Sequence, residues 1–172
     1  MTEKPLVGIS ACLAGYQVRY DGEHRYNPVI ASFIADKVRL LPICPEAAIG
    51  MGIPRPPIQI QITDQGPIAV GRDDPALQVT APLRHFANTI SKVHQQLAGY
   101  ILQSRSPSCG FNTTPMHNSR QEQIGLGSGL FAATLQLQRP DLPLVNDTEL
   151  ITQADCDAFL SAVFRCHQAL TG

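Results

Sequence analysis

The sequence predicts an α/β fold: one compact domain over residues 1–172, with helices flanking a mostly parallel, Rossmann-like sheet. Two observations carry this prediction. Apolar, strand-like runs alternate along the chain with helical patterns, as in βαβ units. Several of these runs also stop at turns rich in Gly, Pro or Ser. Because ligands bind at the carboxyl ends of the strands in open α/β sheets, we expect the functional site at that edge.

The N-terminal part contains the first βαβ unit. Residues 5–12 end in an apolar run and predict a strand, and residues 14–26 predict a polar loop. Asn27 followed by Pro28 is typical of a helix N-cap and first helical position. The helix leads directly into residues 39–44, which predict a second strand parallel to the first.

Residues 45–99 predict a loop, a hairpin and a long helix. Residues 45–57 are rich in Gly and Pro, so we expect an irregular loop around the site. Residues 58–63 alternate apolar and polar side chains and predict a strand that pairs with residues 68–70 in a small hairpin. Apolar residues at three- and four-residue steps predict a long helix over residues 82–98, with Gly99 as its stop.

The C-terminal part completes the predicted sheet. Residues 100–102 predict the third strand and residues 142–146 the fourth. Residues 111–123 are polar and irregular and predict a mobile flap, in which the role of His117 is open. A Gly-rich start leads into a helical run within residues 126–138. A capping-box pattern begins a last helix over residues 152–170.

Composition excludes several classes of protein. The net charge is −1, whereas a protein that binds mainly the nucleic-acid backbone usually carries a basic surplus. The N-terminus does not resemble a signal peptide, and no apolar run is long enough for a membrane helix. We therefore expect a cytoplasmic protein with no membrane partner.

The five cysteines are the most informative residues. An odd number in a chain of this kind argues against a disulfide framework and favours metal or redox chemistry. Cys12, Cys44 and Cys109 each follow a strand-like run. Three thiolates at one sheet edge would hold a metal or an iron–sulfur cluster and leave one coordination position open, or each would be an ordinary buried side chain. Cys156 and Cys166, within the last helix, are expected to pack in the core.

Other candidate residues lie close to these cysteines in sequence. Glu46 follows Cys44 by two positions and is a candidate general base or acid, or else a solvated loop carboxylate. Ser106 and Ser108 precede Cys109 and either contact substrate or form a turn. Two arginines in neighbouring loops are candidates for binding an anionic or carbonyl group of a substrate, with solvent exposure as the alternative: Arg19 and Arg55.

Four stretches together resemble the thiouracil desulfurase (TudS) family, and they run in order over nearly the whole chain. They are residues 8–13 with 18–22, residues 44–46, residues 54–57 and residues 104–110. Three places depart from the family pattern. Gln59 stands where the family often has Glu, and Gln103 stands where Lys is common. Residues 123–127 replace an Asp-Gly pattern ahead of the last Gly-rich helix. These departures bear on the choice of substrate.

The resemblance implies a [4Fe-4S] cluster on Cys12, Cys44 and Cys109, with one iron not bound by protein. It implies a non-redox desulfidase that converts thiolated pyrimidines such as 2-thiouracil, 4-thiouracil or 4-thiouridine monophosphate to the oxo form and releases sulfide. Glu46, which would activate water, and Ser106 take the catalytic positions. With no basic surplus and no further domain, a base, nucleoside or nucleotide is expected rather than tRNA.

Two other kinds of function use the same three thiolates. One is an iron–sulfur dehydratase or a zinc hydrolase, and the other is a non-enzymatic iron–sulfur sensor or carrier. The sequence leaves open whether C2 or C4 of the pyrimidine reacts. It also leaves open the oligomeric state and whether a purified sample retains the cluster.

Overall fold

The computed structural model describes residues 2–172, which form two four-stranded sheets and five α-helices. The strands are β1 (Leu6–Ser10), β2 (Arg39–Ile43), β3 (Ile58–Thr63), β4 (Gly66–Gly71), β5 (Leu97–Leu102), β6 (Thr114–His117), β7 (Gln123–Gly127) and β8 (Leu144–Asn146). The helices are α1 (Pro28–Phe33), α2 (Pro45–Ala48), α3 (Thr80–Val93), α4 (Leu130–Gln138) and α5 (Gln153–Thr171).

The first sheet has the order β2-β1-β5-β8, and its neighbouring strands are parallel. Its two central strands, β1 and β5, are buried along their whole length. Val7 and Ile9 pack with α1 and α5 on one face, whereas Tyr100 and Leu102 pack with α3 and α4 on the other. Burial on both faces explains why these strands are almost continuously apolar. The predicted α/β class with a mostly parallel sheet and flanking helices is confirmed.

The second sheet has the order β4-β3-β6-β7 and is mixed. β3 forms an antiparallel hairpin with β4, as predicted, but it also pairs in parallel with β6, which in turn forms a hairpin with β7. The prediction of an irregular flap over residues 111–123 is therefore wrong. The sequence pattern for strands was weak here. Only two side chains of the short strand β6, Thr114 and Met116, are buried, and β7 is exposed and rich in glycine.

The long helix is shorter than predicted. α3 ends at Val93, and Gly99 lies inside β5 rather than at a helix stop. Leu97 continues the helical spacing of apolar residues by coincidence, because it is the first residue of a buried strand. In that strand a Cβ at Gly99 would meet Val163 of α5.

Two helix starts agree with the sequence. The side chain of Asn27 accepts hydrogen bonds from the backbone N–H groups of Val29 and Ile30 at the start of α1. Thr152 and Asp155 form a capping box at the start of α5. Within residues 2–172, none of the helices combines the length and apolar character that crossing a membrane requires. That residues 1–172 form a single domain stays a prediction.

Candidate active site

The ends of three strands in the first sheet bring Cys12, Cys44 and Cys109 to one small cavity. Cys12 lies in the 3-10 turn that follows β1, and Cys44 follows β2 as the N-cap residue of α2. Cys109 lies in the turn after β5. Because parallel strands end at the same edge, three distant segments of sequence meet here. We call this space the cysteine cavity.

Burial keeps two thiols of the cysteine cavity, those of Cys12 and Cys109, in their neutral form. Burial raises the pKa of Cys12 to about 12, despite the opposing effect of the Arg19 charge. Burial also raises the pKa of the fully enclosed Cys109 thiol, although a hydrogen bond with Ser10 opposes the rise. The Cys12 thiol donates to Oε1 of Gln103 at 3.2 Å. A metal centre would have to displace these protons, since the thiolate is the form that binds metal.

The donor set fits an iron–sulfur cluster. Three soft sulfur ligands line the cysteine cavity, and no histidine does. Within residues 2–172, no three His, Cys, Asp or Glu side chains converge closely enough to hold a single metal ion. Soft thiolates of this kind are the usual ligands of iron–sulfur clusters, and zinc also binds them.

Glu46 lies at the junction between the cysteine cavity and a larger cleft and contributes to the lining of both. It is the second residue of the short helix α2 and is buried. Nε of Arg55 donates to its Oε1 at 3.1 Å, and Oγ of Ser108 donates to its Oε2 at 2.9 Å. A carboxylate has about four acceptor sites, so Glu46 can still accept a proton or a water molecule.

Arg55 is buried and forms several hydrogen bonds within the site. Its Nη1 donates to the carbonyl oxygens of Val18 at 2.7 Å and Gly52 at 3.1 Å, and its Nη2 lies 3.7 Å from Sγ of Cys44. These contacts engage most of the donors of Arg55. Removing either charge of the buried Glu46–Arg55 pair would cost about 3–5 kcal/mol. The predicted contact of Arg55 with substrate rests on Nη2 alone.

The two serines before Cys109 have different surroundings. Oγ of Ser106 accepts from the backbone N–H groups of Ser108 (3.2 Å) and Cys109 (3.0 Å), so it shapes the turn that carries Cys109. Ser106 also lines both spaces. Ser108 is fully buried and lines neither of these two spaces, and its hydroxyl donates its hydrogen bond to Glu46. Its predicted contact with substrate has no support in this arrangement.

The larger space, which we call the outer cleft, has a volume of about 690 Å³. Residues of the second sheet form part of its wall, including Gln59 of β3 and His117 of β6. The cleft is rich in positive charge, because five arginines line it against two acidic residues, Glu46 and Asp147. The arginines are Arg19, Arg25, Arg55, Arg72 and Arg105.

Three of these arginines were missed by reasoning from the sequence: Arg25, Arg72 and Arg105. Each lies in a different loop, and only the tertiary structure brings the loops together. Arg19, which was predicted, lines both spaces, with its Nε 3.4 Å from Oδ1 of Asp21. His117 also lines the cleft, and its Nδ1 lies 3.3 Å from the carbonyl oxygen of Ile60.

Comparison with known proteins agrees with this architecture. The family described as 2-thiouracil desulfurase matches residues 7–147. A Bacillus subtilis (strain 168) protein, the uncharacterized protein YbbK, is 28% identical over 76% of this chain and 89% of its own length. A solved structure of the [4Fe-4S]-dependent thiouracil desulfidase TudS superposes with a TM-score of 0.67 at 30% identity, over 93% of this chain and 99% of that one. The chain belongs to the 2-thiouracil desulfurase family.

Proposed function

We propose that this protein is a non-redox desulfidase that converts the C=S group of a thiolated pyrimidine and water to C=O and hydrogen sulfide. Candidate substrates are 2-thiouracil, 4-thiouracil and 4-thiouridine monophosphate. One observation carries the proposal. Two buried thiols, Cys12 and Cys109, and the half-buried thiol of Cys44 share a cavity with Glu46, and that cavity adjoins a cleft large enough for a small molecule.

The thiols of Cys12, Cys44 and Cys109 would hold the [4Fe-4S] cluster and leave one iron without a protein ligand. When bound, that iron supplies a Lewis acid with an affinity for sulfur, which polarises the thione. The three thiols that line one cavity support this assignment.

Glu46 is the proposed general base. Its carboxylate takes a proton from a water molecule as the water oxygen bonds to the ring carbon. The carbon–sulfur bond then breaks, and both protons of the water end on the departing sulfide. Carbon keeps its oxidation state, so no external electron donor is needed. Arg55 and Ser108 hold the carboxylate in one orientation, which keeps its remaining acceptor sites towards the shared space.

Ser106 is the proposed orienting residue. Its oxygen already accepts two backbone N–H groups, so its own O–H proton is free to be donated. Because Ser106 lines both spaces, this proton can reach a polar atom of a substrate that extends from the outer cleft to the cysteine cavity.

The size and charge of the outer cleft favour a nucleotide over a free base. Its volume is in the range that accommodates drug-sized ligands. Within residues 2–172, Arg25, Arg72 and Arg105 take part in no salt bridge, although they line this cleft. Arginine is well suited to phosphate because its planar group donates two parallel hydrogen bonds. A thiolated pyrimidine monophosphate is therefore the preferred substrate of this proposal.

The proposal is tested anaerobically with the reconstituted protein. 2-Thiouracil, 4-thiouracil and 4-thiouridine monophosphate are added separately, and the loss of thione absorbance is followed together with sulfide release. We expect release that depends on the cluster and is fastest with the nucleotide. Iron and labile sulfide are measured on the same sample, because a zinc hydrolase would contain neither. A complete cluster without sulfide release from any substrate would contradict the proposal and favour a sensor or carrier.

A further inference from the structure

Gln59 differs from the other buried polar side chains around the site. It is only 8% exposed, yet no side-chain hydrogen bond joins its amide to another residue within residues 2–172. The buried polar side chains near it are all paired: Ser10, Glu46, Arg55, Ser108 and Thr114. The side chain of Gln59 is thus largely buried, but its amide atoms are not among the fully enclosed ones and keep their hydrogen-bonding capacity.

The position of Gln59 directs this capacity to the outer cleft. It lies in β3, four residues after Arg55, and lines the outer cleft. Pro57, Pro107 and Pro115 line the same cleft and offer flat apolar surfaces against which a planar ring can pack. The amide of Gln59 is thus an unpaired polar group, on an otherwise buried side chain, that is open to a ligand in the cleft.

The hydrogen-bonding capacity of an amide limits which ligands Gln59 can recognise. The arginines of the cleft only donate hydrogen bonds, and an ionised Glu46 only accepts them, whereas an amide does both. A pyrimidine with one thione presents a matching pair beside the sulfur: an N3–H donor followed by a carbonyl acceptor. This pair is present whether the sulfur is on C2 or on C4.

We propose that Gln59 recognises this edge of the pyrimidine ring, donating from Nε2 to the ring carbonyl and accepting from N3–H at Oε1. The inference rests on the proposed function, because it names how that substrate is held. A carboxylate at this position could accept the N3–H but could not donate to the carbonyl. Gln59 is therefore the specificity-determining residue of this proposal.

The test measures the binding of the reaction product, so it does not require turnover. Uridine monophosphate and its N3-methyl derivative are titrated by calorimetry into the cluster-loaded protein and into Gln59→Leu. Gln61→Leu is the matched control, since Gln61 lies on the same strand but does not line the cleft. Thermal unfolding of all three proteins confirms that each is folded.

We expect Gln59→Leu to weaken binding of uridine monophosphate about 10- to 100-fold, as for the loss of a two-bond contact to a base. Methylation of N3 should weaken binding to the unsubstituted protein by a similar factor but cost little in Gln59→Leu, because both changes remove the same contact. Gln61→Leu should bind normally.

Two results would overturn the inference. One is unchanged affinity in Gln59→Leu, and the other is a methylation penalty that is equally large in both proteins. The outcome is separable from that of the proposed function. If no thiolated substrate releases sulfide while binding of uridine monophosphate still depends on Gln59, the desulfidase assignment fails and the recognition of the ring stands.

Discussion

The cysteine cavity and the outer cleft adjoin each other but differ in how their polar groups are paired. In the cysteine cavity, Glu46 is bound by Arg55 and Ser108, and Ser106 is bound by two backbone N–H groups. In the outer cleft, Arg25 and Arg72 are exposed and form no salt bridge with any of residues 2–172, and the amide of Gln59 forms no hydrogen bond with them.

This difference separates two tasks. Groups that are paired with one another hold a fixed geometry, which suits residues that must meet a reacting atom. Groups that are unpaired keep their hydrogen-bonding capacity for a ligand. We therefore assign chemistry to the cysteine cavity and substrate recognition to the outer cleft. The predictions below test whether the two regions can be altered independently.

The largest effect is expected from the thiols. Replacing Cys12, Cys44 or Cys109 individually by Ala should abolish both cluster incorporation and sulfide release, because only three ligands are available. Iron content and the visible absorbance of the reconstituted protein measure the first, and a sulfide assay measures the second. Cys166→Ala, on α5 and outside the cavity, is the control and should retain both. A Cys109→Ala protein with normal iron content would remove that residue from the ligand set.

Glu46→Gln should separate the cluster from catalysis. It keeps the size of the side chain but removes the base, so turnover should fall about 10²- to 10⁴-fold while iron content stays normal. Glu23→Gln, an exposed loop residue, is the matched control. Since the substitution leaves the Arg55 charge without its partner, thermal stability must be measured alongside the rate. Full activity in Glu46→Gln would show that another group activates the water.

The arginines of the outer cleft should affect the nucleotide alone. Arg72→Ala should raise the KM for 4-thiouridine monophosphate about fivefold, or roughly 1 kcal/mol, and leave the KM for 4-thiouracil unchanged. Added salt should reduce the difference, because exposed charges are screened. Arg165→Ala, exposed on α5, serves as the control. An equal rise in KM for base and nucleotide would contradict a phosphate contact.

Ser106→Ala should affect both the turn and the substrate. It removes the acceptor for two backbone N–H groups, so the free energy of unfolding should fall by about 1–2 kcal/mol. The orienting role proposed for the hydroxyl adds a fall in kcat. Urea unfolding and steady-state kinetics measure the two effects. Ser161→Ala, which removes an exposed hydroxyl on α5, should change neither. Unchanged kcat in Ser106→Ala would leave the serine a purely structural role.

The smallest effect concerns the protein without its cluster and is absent near neutral pH. Burial raises the pKa of Cys12 from 9.0 to about 12, so this thiol ionises in the unfolded chain before it ionises in the folded one. The stability due to this shift is complete below pH 9 and is lost as the pH rises towards 12. Urea unfolding at pH 7 and pH 10 should show a smaller loss in Cys12→Ala. Equal losses would mean that the thiol is not buried in the cluster-free state.

Local patterns in the sequence predict much of this molecule. The buried strands β1 and β5 are apolar throughout, and α1 and α5 begin with side-chain caps, all of which are short-range signals. The positions of Cys12, Cys44 and Cys109 follow from these elements, because each cysteine comes directly after a strand or in the turn that follows one. Their common location required only that the strands be parallel.

The outer cleft was not predictable in the same way. Its wall depends on the pairing of β3 with β6, which are far apart in the chain and carry no mutual signal in a single sequence. Arg25, Arg72 and Arg105 come from three separate loops. Their individual positions in the sequence resemble those of solvated arginines elsewhere.

The sequence by itself therefore determined the parallel sheet, the helices that cover it and the edge at which three cysteines meet. Hydrophobic periodicity and capping act between residues that are close in the chain, so they are visible in the sequence. Only the tertiary structure decided that Glu46 is held by Arg55 and Ser108, and that the amide of Gln59 faces a cleft lined with arginines. Glu46 and Ser108 are 62 residues apart, and the cleft is lined by several separate loops and strands, so a local sequence pattern does not reveal either relation.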